Sequence, residues 1–396
     1  MTHVSEVARP SVRLAGLDLL RLVAVLLVIG RHISGAQDPA ASVRHPLLAT
    51  WARGGWVGVD IFFVLSGFLV SGLLFAEFKA RGELSPVRFF VRRAWKIYPP
   101  FYLLLAVTVV MYATFRQELR WSWLLSELLF VQSYVPGLWM HTWSLAIEEH
   151  FYLLLPVTLL LLVRRRPAAA DPFRPILLLG LGVVALELLL RVANWRFHPA
   201  YAYQTHLSPT HLRLDSLFVG VVLSYGYHFN TRAFVDLLTP WRWALIVTGG
   251  ALLAPAFVFP LDTTPFVYTA GFTLFGLAGA MLVAGTVLCA SPREGMLAPL
   301  AALGANSYSI YLWHLPVMLW GIPLAEQAAG VRFSLGFRAG LSVIASLAFG
   351  AAMAKLVEAP ALRLRDRWFP SRASGADRRA QASRASIRGG AAIEAL

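Results

Sequence analysis

Residues 17–35 read LDLLRLVAVLLVIGRHISG. The run is close to the roughly 20 apolar residues that carry a helix across a bilayer, yet it contains an arginine and a histidine. Charged and titratable groups at membrane depth are costly and mark functional sites by default. Arg21 and His32 are eleven positions apart, which at 100° per residue is about three turns plus 20°, so the two share one face of a helix. Along the axis they are about 16 Å apart. That places Arg21 near one membrane surface and His32 in the opposite half.

Outward from this stretch, comparable apolar runs fall at 57–77, 98–115, 143–163, 175–194, 212–229, 242–259, 267–289, 304–323 and 336–357, many with tryptophan or tyrosine at their ends, as in the interfacial aromatic belt. The run 121–135 is too short to span and reads as an interfacial or re-entrant segment. The expected fold is all-α, a polytopic membrane protein of ten transmembrane helices. With 58% hydrophobic and 14% charged residues in 396 and a mean hydropathy of +0.62, an ordinary water-soluble domain is excluded. Cys289 is the single cysteine, so disulfides and Cys-based metal sites have no material.

The net charge of +14 comes without a basic, aromatic-interleaved exposed domain, and no nucleic-acid partner is expected. The cations instead set topology: alternate loops carry about 23 Lys and Arg on one side against about 10 on the other, which puts both termini in the cytoplasm by the positive-inside rule. The expected organisation is a cytoplasmic segment at 1–13, a ten-helix membrane domain at 14–365 and a basic, disordered cytoplasmic tail at 366–396. The first run has no small-residue cleavage site after it and reads as an anchor rather than a signal peptide. No P-loop, GxSxG or HExxH motif occurs, and the scattered histidines lack zinc-ligand spacing.

Alternating topology brings further polar residues to the half of the membrane that holds His32: Asp60 in GWVGVDIFFVLSGF, Glu148 and Glu149 in HTWSLAIEEHFYLLLP, and Arg213 and Asp215 in HLRLDSLFVG. A carboxylate beside a histidine is the usual construction of a general base. Glu148 and Glu149 point about 100° apart on a helix, so one of them at most faces a given site. Asp215 can alternatively pair with Arg213, and Glu358 with Arg363 in VEAPALRLR, as structural ion pairs. At the other end, VRRAWKIYPP supplies Arg92, Arg93 and Lys96, which fit either plain topology signalling or a phosphate clamp shared with Arg21. Tyr308 and His314, in NSYSIYLWHLP, are candidates for lining the site or for bonding across helices.

Taken in order, RLVAVLLVIGRH, GVDIFFVLSGFL, VRRAWKIYPPFY, WSLAIEEHFYLLLP, HLRLDSLFVG, NSYSIYLWHLP and VEAPALRLR resemble the landmarks of the membrane-bound acyltransferase-3 family, which includes bacterial O-acyltransferases of surface glycans and macrolides. The resemblance covers roughly residues 14–365. It implies acyl-coenzyme A, with acetyl-CoA the expected form, as co-substrate with no permanently bound cofactor, a carbohydrate or glycan-lipid acceptor, membrane lipid as surroundings and a bacterial inner membrane location. His32 is carried over as the catalytic histidine, with Arg21 and Arg93 as its motif partners. Lys96 stands where the family more often has arginine, and His150 where glutamine is usual. The expected activity is O-acylation of a glycan hydroxyl. Alternatives are O-acylation of a macrolide or other small molecule, and, in a different class, transport or export of a glycan. General-base and acyl-histidine mechanisms are both open.

Overall fold

The computed structural model describes residues 15–167, 169–289 and 297–370; the expectations for 1–13 and most of the tail lie outside them. Among the described residues there are helices and no strands. The principal helices are α1 (Ala15–Arg31), α2 (Gly58–Arg81), α3 (Pro86–Thr114), α4 (Trp121–Leu128), α5 (Trp143–Arg165), α6 (Ile176–Phe197), α7 (Leu214–Phe229), α8 (Arg242–Leu252), α9 (Phe272–Leu288), α10 (Ser307–Pro316), α11 (Leu335–Met353) and α12 (Ala359–Trp368).

Seven helical segments among the described residues are long and apolar enough to cross a membrane: Pro46–Arg81, Pro86–Thr114, Met140–Arg165, Ile176–Phe197, Thr231–Val258, Val267–Leu288 and Leu335–Trp368. The protein is a multi-pass, all-α membrane protein. Helices also occupy the three other expected runs, but α1 and α7 have only 17 and 16 residues. At 1.5 Å per residue these are about 26 and 24 Å long, just short of a bilayer core. The run at 121–135 folds as the eight-residue α4 followed by turns, too short to span.

The centre is α2. In Pro46–Arg81, 78% of the most apolar window is buried, against 17% in Thr231–Val258, so the latter lies at the periphery, with Leu237, Trp243 and Val247 exposed. In lipid the drive to associate is close packing rather than removal of apolar surface from water, so small residues mark the tight crossings. A Cβ on Gly67 of α2 would come within 1.9 Å of the Leu217 carbonyl oxygen of α7, and one on Gly220 within 2.3 Å of the Val64 oxygen. The two backbones touch there. A Cβ on Gly304 would lie 1.7 Å from the Asp18 oxygen, which seats the segment before α10 directly on α1 and brings His314 toward the end of that helix.

Between α4 and α5 the chain is held by one carboxylate. Glu127 accepts from the Trp139 backbone N–H (3.0 Å) and the Thr142 hydroxyl (2.8 Å), and burial pushes its carboxyl up from 4.5 to about 7. In that interval the folded state holds a proton that the unfolded chain has released, so stability falls as pH rises from about 4.5 to about 7. Glu127→Gln, which keeps an acceptor oxygen, is expected to flatten this part of the profile. Thermal unfolding in detergent across that range checks it.

Candidate active site

Helices α1, α2, α3, α5 and α10 supply a cleft of about 90 Å³ whose lining includes Arg21, Ser66, Arg93, Lys96, Glu148 and Tyr308. The sequence-predicted cations Arg21, Arg93 and Lys96 therefore meet, together with Tyr308, which donates from its hydroxyl to the Ile97 carbonyl (2.7 Å). At the centre, the Tyr152 hydroxyl donates to Glu148 Oε2 (2.9 Å), accepts from Arg93 Nη2 (2.5 Å) and bonds Ser66 Oγ (2.7 Å). The Arg93 guanidinium stands 4.4 Å over the same ring. Arg93 Nε and Glu149 Oε1 are buried with no hydrogen-bond partner, and Glu149 Oε2 accepts from Tyr98 (3.1 Å). Lys96 lies 3.9 Å from Glu358, and Arg21 2.7 Å from Asp18.

His32 lines a second, larger cavity of about 440 Å³ with Arg31, Arg53, His141, Tyr203 and Asp262. Its Nδ1 is 3.0 Å from the Val28 carbonyl and 3.1 Å from His314 Nε2. A carbonyl only accepts, so Nδ1 carries the proton and Nε2 keeps its lone pair. His314 follows the same logic, its Nδ1 held at 2.5 Å by the Tyr311 carbonyl, which leaves its Nε2 as an acceptor facing His32. A third ring packs onto this pair, His141 at 5.1 Å from His314 between centroids. His141 Nε2 donates to the Leu312 carbonyl (3.1 Å), and its buried Nδ1 has no partner.

Val59 and Tyr311 line both spaces. The Tyr311 hydroxyl donates to the His141 carbonyl (2.7 Å) and bonds Ser144 Oγ (2.6 Å), so the ring is fixed at the boundary. Arg21, in the first half of α1, and His32, just past its last residue, thus belong to two chambers that share Val59 and Tyr311.

Several expectations need correction. Among the described residues no carboxylate orients His32; His314 and the Val28 carbonyl do. Glu148 and Glu149 lie with Arg93 rather than with His32, because they sit five and six residues into α5, about 7.5 Å or more past its first residue. Asp60 lines neither chamber: Val59 faces them, and the next residue turns about 100° away into a buried ion pair with Arg213 at 2.9 Å. Arg213 does not pair with Asp215, since side chains two apart on a helix diverge. Asp215 is instead held at 2.5 Å by Arg191 of α6, and Glu187 accepts from the backbone N–H groups of Leu214 and Asp215 (2.9 Å each). Glu358 faces Lys96 and accepts from Ser309 (2.8 Å) rather than pairing with Arg363. Arg92 leaves the clamp as well, pairing with Asp366 of α12 (3.2 Å) and donating to the Phe369 carbonyl; on a helix it points away from Arg93.

Residues 14–356 match the family described as an acyltransferase domain. The peptidoglycan O-acetyltransferase OatA of Listeria monocytogenes is 26% identical over 78% of this chain and 50% of its own length. The O-acetyltransferase OatA of Staphylococcus aureus is 27% identical over 78% and 51%. The chain thus spans about half the length of these curated relatives. No solved structure matches. The chain belongs to the membrane-bound acyltransferase-3 family and carries that family's acyltransferase domain.

Proposed function

We propose that the protein moves an acyl group, acetyl in the simplest case, from acyl-coenzyme A to a hydroxyl of a carbohydrate or glycan precursor at the bacterial cytoplasmic membrane, with both termini in the cytoplasm. The observation that carries the reading is the junction at Val59 and Tyr311 between a cation-lined cleft and a cavity that holds a histidine with a bare Nε2. Phosphates of the donor sit among Arg21, Arg93 and Lys96, where guanidinium forks and an ammonium suit them. The extended pantetheine arm of the donor runs from there toward the junction. The thioester lies at the junction, and the acceptor occupies the larger cavity.

The acceptor hydroxyl gives its proton to His32 Nε2 while its oxygen bonds to the thioester carbonyl carbon. The C–S bond then breaks, and His32 returns the proton to the leaving thiolate, so the enzyme ends as it began. His314 shares the Nδ1 proton and holds the ring through the cycle. The same Nε2 lone pair would serve an acyl-histidine route. Peptidoglycan is the acceptor named for a relative, and a muramyl glycan is a natural first candidate here.

The test is purified protein in detergent with radiolabelled acetyl-CoA and a crude glycan or lipid-linked sugar fraction. Label moving onto the glycan is the expected result. A transporter would leave the thioester intact with every acceptor and donor tried, and that outcome would overturn the enzyme reading.

A further inference from the structure

The larger cavity has a charge that the transfer step itself does not require. Arg31 and Arg53 both line it, and Asp262 is its single carboxylate among the described residues. Arg31 Nη1 donates to the Ala52 carbonyl at 3.2 Å and Arg53 Nη1 to the Phe257 carbonyl at 3.4 Å. Each contact uses one of the five N–H donors of a guanidinium, and neither arginine is in ion-pair contact with a carboxylate among the described residues. The space is therefore cationic, with donors to spare. Arg31 and His32 line this one cavity, so a group bound by Arg31 shares the space of the reacting hydroxyl. The same lining includes Trp56, Trp143, Tyr201 and Tyr203, flat amphipathic surfaces on which a sugar ring packs while keeping its hydroxyls bonded.

We propose that this cavity selects an anionic saccharide, one whose carboxylate or phosphate is held by Arg31 and Arg53 while a neighbouring hydroxyl faces His32. The inference rests on the acyl-acceptor reading of the cavity and narrows its substrate class. Arginine recognises carboxylate and phosphate oxygens through paired N–H donors, more strongly than neutral hydroxyls. In a partly desolvated cavity that preference outweighs what the same contact gives in water.

The experiment measures binding and transfer separately, in nanodiscs of zwitterionic lipid so that no lipid headgroup supplies net negative charge. The probes are a glucuronate-containing disaccharide, its methyl ester and a sugar phosphate, each titrated against wild type, Arg31→Gln, Arg53→Gln and Arg53→Lys. Wild type is expected to bind the two anionic sugars about tenfold or more tighter than the ester, since a charge-assisted contact is about twice as strong as a neutral one. Both glutamine variants should lose that preference, and the lysine variant, which keeps the charge, should retain most of it. Repeating the titration in nanodiscs containing anionic phospholipid separates the two sources of anion: a preference that survives assigns the cavity to the saccharide, whereas one abolished by the lipid assigns it to a headgroup and overturns the proposal. Equal affinity for acid and ester, or equal losses on both in the variants, also overturns it. Charge-selective binding without label transfer would leave the cavity's specificity standing and count against the transferase chemistry instead.

Discussion

His32→Ala is expected to lower acyl transfer by about 10²- to 10⁴-fold, the usual contribution of a positioned general base, with the protein still inserted and monodisperse. The ring is half-buried at the end of α1, and its fixed contacts are the Val28 carbonyl and His314; neither is a structural ion pair, so removing it leaves no orphaned charge. The alanine leaves the Arg93 cleft untouched, so donor binding should persist while transfer is lost. Rates of label transfer measured beside equilibrium binding of acetyl-CoA check both halves. A variant that transfers within a factor of about three of wild type would place the chemistry on another group, and His141, with its unpartnered Nδ1, would be the next to examine.

The largest stability effect is expected at Arg213. Its side chain is 1% exposed, pairs with a fully buried Asp60 at 2.9 Å and stands 3.8 Å over the Phe272 ring. Arg213→Ala strands the Asp60 carboxylate away from water, a loss of about 3–5 kcal/mol for a broken buried pair. Asp60→Leu alone should cost a similar amount by stranding the guanidinium. The double variant Asp60→Leu/Arg213→Met removes both charges and should be more stable than either single variant, because an uncompensated charge costs more than an apolar filling. Thermal unfolding of the four proteins in detergent reads this directly. Single variants within about 0.5 kcal/mol of wild type would mean that the pair is hydrated and is not the internal brace described here.

Much of this architecture is legible in the sequence. Helical spans announce themselves by run length, and helical periodicity together with rise per residue predicts that Arg21 and His32 sit on one face at opposite depths. The gathering of Arg21, Arg93 and Lys96 follows from their common end of the membrane. What local spacing does not carry is which neighbour each charge chooses. Asp60, Arg213 and Asp215 share a depth, but their partners depend on rotation of α2, α6 and α7 about their axes, and Arg191 had no motif to draw attention to it. The depth of Glu148 depends on where α5 begins, and the few residues between its start and the carboxylate move it from one chamber to the other. His141 stands in the quoted HTWSLAIEEH stretch, two residues before Trp143; its adjacency to His314 arises only from the packing of distant segments. The same holds for Tyr311, whose place between the chambers is a property of the assembled bundle.

On the proposed reading, donor and acceptor approach from opposite faces and meet at Val59 and Tyr311. The most direct test of that reading is a sidedness measurement in sealed proteoliposomes of uniform orientation, with radiolabelled acetyl-CoA on the face that carries Arg21 and a membrane-impermeant glycan acceptor on the face that carries His32. Label is expected on the acceptor with the reagents separated in this way, and none when their sides are exchanged. Transfer that occurs only when donor and acceptor share one compartment would contradict it.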